Sequence, residues 1–183
     1  EKNIQKYCPL PAFTPGMQQK LAQNFERLKT FTNECKWNYY EDNHQDIGII
    51  ASGVSYRYAK EVFGDQASYC KIGFSYPMPM DMIKAFASKV KTIYVLEEND
   101  PIVETEIKAA GIDCIGKDLF PQMGELLPEK IREAAFGKSQ EVLAPNEKTV
   151  VGRPPALCAG CPHRGFFYEL GKLKNTMIFG DIG

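Results

Sequence analysis

The chain has 183 residues, 44% of them apolar and 25% charged, with 22 Lys and Arg against 23 Asp and Glu for a net charge of −1. That length holds one good-sized core with flanking segments, or two small domains, and the composition is that of an ordinary globular protein. The balanced charge leaves no electrostatic footprint for nucleic acid or an anionic membrane, and no apolar run approaches the roughly 20 residues of a spanning helix.

The opening Glu1-Lys2-Asn3-Ile4-Gln5-Lys6 is too polar for a signal peptide, and there is no initiator Met. Both ends therefore read as cut from something larger. Thr14 is placed to cap a helix whose first helical residue is Pro15, a position where the missing N–H is no loss. Met17, Leu21, Phe25, Leu28 and Phe31 recur at helical spacing and predict one apolar stripe to about residue 35. Asn38 to Asp46 is polar, and residues 1–45 read as a helical entry segment.

From Ile47 the pattern alternates. Ile47-Gly48-Ile49-Ile50-Ala51 predicts a buried strand, followed by a helix marked by Val54, Tyr58 and Val62. Tyr69 to Ile72 predicts a second strand, with Ile83, Phe86 and Val90 on the helix after it. Thr92 to Leu96 is the clearest strand. Asp100-Pro101 then reads as a cap and first turn, with Val103, Ile107 and Ala110 on one face and Gly111 as the stop. Ile112 to Ile115 predicts a fourth strand, and Met123, Leu127, Ile131 and Ala134 a fourth helix. Strand–helix repeats with continuous apolar strands predict an α/β domain over 46–137: a three-layer fold with a mostly parallel sheet covered on both faces. Residues 138–157 are polar and proline-bearing and read as a linker. In 158–183, Phe166, Leu170 and Leu173 predict a helix and Thr176 to Phe179 a strand.

Ligands of open α/β sheets bind beyond the carboxyl ends of the strands. Here those loops are Ser52-Gly53, Gly73 to Tyr76, Glu97 to Asp100, and Gly116 to Asp118. None carries a dinucleotide or Walker spacing. The acidic loop could hold a hard cation, but carboxylates at a helix start more often serve its unpaired N–H groups. His44 reads as solvated.

Of the six cysteines, Cys8, Cys35, Cys70 and Cys114 are scattered and read as ordinary free thiols, which favours a reducing, cytoplasmic setting. Cys158 and Cys161 stand apart, three residues from each other and just before a predicted helix. Pro162 displaces the histidine a c-type haem site needs. A thioredoxin-like dithiol wants a preceding strand, and Gly152-Arg153-Pro154-Pro155 stands there instead. Zinc could use Cys158, Cys161 and His163 but lacks a fourth ligand, and an iron–sulfur cluster shares that shortage unless further thiolates lie elsewhere. A reduced pair in a surface loop is the plain alternative.

The run from Arg153 to Tyr168, with Cys158-Ala159-Gly160-Cys161-Pro162-His163-Arg164 at its centre, and the closing Gly180-Asp181-Ile182-Gly183 resemble the α subunit of indolepyruvate ferredoxin oxidoreductases. Ile49 to Val54, Tyr94 to Pro101 and Ile115 to Pro121 resemble the transketolase C-terminal-like domain of the same family. The resemblance implies that 158–183 open a thiamine-diphosphate-binding domain, with His163, Gly180, Asp181, Ile182 and Gly183 facing the cofactor and Cys158 and Cys161 as metal ligands. It implies a parent enzyme that uses thiamine diphosphate, Mg2+ and 4Fe-4S clusters to take indolepyruvate or another arylpyruvate to the aryl-acetyl-coenzyme A. Its partners would be a β subunit, ferredoxin and coenzyme A, with no nucleic acid and no membrane. The segment itself is expected to be inactive. The rival reading is a non-catalytic metal-binding or interaction module using Cys158, Cys161 and His163.

Overall fold

The computed structural model describes residues 3–137 and 156–179. The chain divides into two units, residues 1–141 and residues 142–183.

The first unit opens with a single helical turn, α1 (Ile4–Tyr7), and the long helix α2 (Thr14–Glu34). Thr14 is inside α2 and caps nothing. Its hydroxyl donates to the Leu10 carbonyl at 2.9 Å, because the turn from Leu10 to Phe13 already starts the coil. The predicted stripe is not a core stripe. Leu21 is 69% exposed and Leu28 47%, and only Thr32 of α2 is buried. Helical spacing reports that apolar residues share a face, not that anything covers it.

A four-stranded sheet follows: β1 (Tyr39–Glu41), β2 (Ile47–Ser52), β3 (Ser68–Ile72) and β4 (Thr92–Leu96), in the order β1-β3-β2-β4. β2 is central and parallel to both neighbours, with Ile50 opposite Cys70 on one side and Val95 on the other. β1 is antiparallel to β3, Tyr40 facing Cys70. The polar stretch from Asn38 thus contributes a strand the pattern did not reveal. The predicted fourth parallel strand is a single bridge between Tyr94 and Ile115. Its ladder ends there because the next N–H, that of Lys117, turns away to the Glu104 carboxylate at 2.8 Å.

Helices α3 (Gly53–Phe63), α4 (Met80–Ala87), α5 (Ile102–Ala109) and α6 (Pro128–Phe136) cover the sheet. Alternation along the strands sends Ile49, Ala51, Tyr69 and Leu96 to one face, where Tyr56, Ala59 and Phe63 of α3 and Ile131 of α6 pack. Ile50, Cys70, Ile72, Ile93 and Val95 go to the other, against Met82, Ile83 and Phe86 of α4 and Val103 and Ile107 of α5. The expected three layers and mostly parallel sheet are present, with β1 the antiparallel member. Some predicted helix members fall outside. Val90 lies past the end of α4, Leu127 precedes α6 as its cap, and Met123 is 85% exposed. Val54 opens α3 but is exposed.

Among the described residues the second unit has one helix, α7 (His163–Leu170), which holds Phe166 and Leu170 of the predicted set, while Leu173 lies past its end. Thr176 to Phe179 is not a strand. A strand satisfies its N–H and C=O groups only through a neighbour, and none lies beside it among the described residues. Most of the predicted linker and Gly180 to Gly183 lie outside the described residues.

Candidate functional site

The Cys-x-x-Cys segment is a tight turn that runs into α7. The Cys161 N–H donates to the Cys158 carbonyl at 3.2 Å, closing four residues into a loop, and Gly160 sits at φ 74°. An L side chain is strained at that φ, so glycine is what lets the turn form. Pro162 precedes the first helical residue, His163, and the Arg164 N–H donates to the Cys161 carbonyl at 3.2 Å. The turn therefore aims the imidazole back at the thiol, with Cys161 Sγ 3.4 Å from His163 Nδ1. The ring of Phe167 lies one turn along from His163, centroids 6.3 Å apart. Cys158 is exposed, Cys161 half-buried, and both are free.

Of the predicted site residues, the structure brings Cys161 and His163 into contact and holds Cys158 at the other end of the same turn. Gly180, Asp181, Ile182 and Gly183 lie outside the described residues. Among the described residues no group of three or more His, Cys, Asp or Glu is arranged to hold a metal ion. Two thiols and one imidazole do not make the four-thiolate set of a 4Fe-4S cluster, so the residues present do not fit that group by themselves.

The loops at the carboxyl ends of the strands are spent on structure. Glu97 accepts from the N–H groups of Val103 at 2.9 Å and Glu104 at 3.0 Å, serving the first turn of α5. Asp100, the expected cap, is instead bonded from Gln122. Glu98 accepts from Leu126 N–H. Glu104, 4% exposed, accepts from Lys108 Nζ at 2.6 Å as well as from Lys117 N–H. Burial works to raise the Glu104 carboxyl, but those bonds and the charges of Lys108 and Lys117 outweigh it and hold its pKa below the ordinary value. The acidic loop thus shores up a helix start, as expected of carboxylates at that position. His44, its side chain 90% exposed, makes only local contacts with Asp42.

Two structural residues had no sequence signal. Asn38 sits below the β3 loop with Oδ1 accepting from Gly73 and Phe74 N–H at 2.7 and 2.8 Å, and Nδ2 donating to Thr32 and Phe74 carbonyls. Asn33 of α2 accepts from the Asp81 and Met82 N–H groups and so caps α4 from a distance. A cleft of about 580 Å³ opens beside it, lined by Phe25, Tyr76, Met80 and Ile102. Of its charged groups, Lys29 holds Glu26 and Asp81 takes Asn33 Nδ2.

No family model and no solved structure matches the chain. Among the described residues no helix is long and apolar enough to cross a membrane. Curated relatives do match. The chain is 34% identical to "Indolepyruvate oxidoreductase subunit IorA" of Methanothermobacter marburgensis, over all of the chain and 33% of that protein. The same-named subunits of Pyrococcus horikoshii and Archaeoglobus fulgidus are 30% and 28% identical, again over all of the chain and about a third of their own length. The chain spans about a third of the length of the relatives it matches. By sequence kinship along its whole length, the chain belongs to the IorA family of indolepyruvate oxidoreductase subunits.

Proposed function

We propose that this chain is the part of an IorA-type subunit in which a transketolase C-terminal-like α/β domain (46–137) leads through a linker (138–157) into the start of a thiamine-diphosphate-binding domain (158–183). The full-length subunit, with its β subunit, oxidatively decarboxylates indolepyruvate or another arylpyruvate to the aryl-acetyl-coenzyme A and passes the electrons through 4Fe-4S clusters to ferredoxin. Thiamine diphosphate with Mg2+ supplies the carbanion chemistry in such enzymes. The observation that carries this reading is the match of the entire chain to IorA subunits.

In this reading His163 and Gly180 to Gly183 face the thiamine cofactor, and Cys158 and Cys161 are metal ligands only if the rest of the subunit adds donors. The exposed state of the second unit supports the division of labour. No described residue there is buried, and Phe166, Phe167, Tyr168, Met177 and Phe179 are all open. A segment whose described residues form no core holds no cofactor in place. The chain alone is therefore inactive.

Calorimetric titration with thiamine diphosphate and Mg2+ tests this. The 183-residue chain should give no saturable heat, while a full-length subunit containing it, with its β partner, should bind and reduce ferredoxin with indolepyruvate. Micromolar affinity in the chain alone, or a full-length pair that binds but ignores arylpyruvates, would overturn the reading.

A further inference from the structure

The geometry points to a redox modification site: Cys158 and Cys161 close into a reversible intrachain disulfide by exchange with a small-molecule disulfide. The inference rests on the turn itself and stands whether or not the oxidoreductase reading holds.

Three observations carry it. First, the turn is pre-closed. A four-residue turn keeps its outer Cα atoms within about 7 Å, and disulfides span about 4.4–6.8 Å. The Cys161 N–H to Cys158 carbonyl bond and Gly160 at φ 74° hold that turn with both sulfurs free. Second, both sulfurs can be reached from solvent: Cys158 is exposed and Cys161 only half-buried. Third, the pair has no competitor in the chain. Cys35 and Cys70 are buried, and burial pushes the Cys70 thiol up to about 12. Cys114 is half-buried, and burial, only partly opposed by Lys108, takes it to about 11. Cys8 is half-buried at the other end of the chain, alone.

The exchange balances as two displacements. Cys161, its proton given up to solvent, attacks one sulfur of the small disulfide; the S–S bond breaks, a mixed disulfide forms and one small thiol leaves. Cys158 then gives up its proton and attacks the Cys161 sulfur of the mixed disulfide, forming the intrachain bond and expelling the second small thiol. The chain loses two electrons and two protons, and the small disulfide is reduced to two thiols. A small reduced dithiol reverses the sequence.

The test is to expose the folded 183-residue chain to oxidised glutathione, quench in acid, and map the cysteines by alkylation and peptide mass. The result expected is loss of two hydrogens confined to the peptide joining Cys158 and Cys161, restored by dithiothreitol. Cys158→Ser should instead trap glutathione on Cys161. Cys161→Ser should likewise trap glutathione on Cys158. Circular dichroism confirms that each variant keeps the α/β unit. Glutathione left attached to the unmodified chain, a bond involving any other cysteine, or a pair that stays reduced would each overturn the inference.

Discussion

Asn38 ties three segments with one side chain. It is 5% exposed, and its amide serves the end of α2 and the loop after β3 together. Asn38→Ala removes the acceptor of the part-buried bonds from the Gly73 and Phe74 N–H groups, and at about 0.5–1.5 kcal/mol net for each hydrogen bond lost it should cost about 1–3 kcal/mol. Urea denaturation measures this, and Asn38→Asp, which keeps the acceptor, should lose less. Gly116 is constrained by contact. A Cβ there would sit 2.2 Å from Glu104 Oε2, so Gly116→Ala forces the carboxylate off the Lys117 N–H and destabilises the unit. Acid acts on the same group. Glu104 and Glu41 both have depressed pKa values; for Glu41 burial raises it, but bonds from Lys60 and Tyr56 and the charges of Lys60 and Arg57 prevail. The unfolded chain then binds more protons than the folded one, so their stabilisation is present at neutral pH and is lost as pH falls through and below the ordinary carboxylate range. Glu104→Gln should lower stability at pH 7 and flatten that acid slope.

At the scale of elements, what could be read and what could not have separate causes. β2 and β4 were legible as continuous β-branched or apolar runs, because a strand buried on both faces leaves no room for polar residues. β1 was not, because three residues carry too little period to count, and Tyr39, Tyr40 and Glu41 gain their meaning only opposite β3. The fourth strand failed for a tertiary reason, the capture of Lys117 N–H by a glutamate thirteen residues earlier. The helix after Cys161 was legible from the spacing of Phe166 and Leu170, but the turn closed at Gly160 was not. The 3.4 Å approach of His163 was not, since it depends on the angle at which the turn enters α7. α2 offers a direct check. Leu21→Lys and Leu28→Lys should each shift stability by less than about 0.5 kcal/mol, as exposed sites do. Ile50→Ala or Ile83→Ala, fully buried, should cost about 2–5 kcal/mol. A large loss from the lysine variants would show that the stripe is core after all.

On the scale of the whole molecule, the two units differ in kind. The first buries aliphatic and aromatic side chains on both faces of a sheet, while the second, over residues 156–179, buries none. Helices as short as α7 are marginal without tertiary packing, so its apolar side chains need a surface that the described residues do not supply. The kinship with subunits about three times as long names a source for that surface. Hydrogen exchange on the chain, and on a full-length IorA-type subunit containing it, measures this residue by residue. The amides of β2, β3 and β4 should be protected in both. Those of 163–179 should exchange freely in the chain and become protected in the full-length subunit, whereas strong protection in the chain alone, or none in either, would contradict the account.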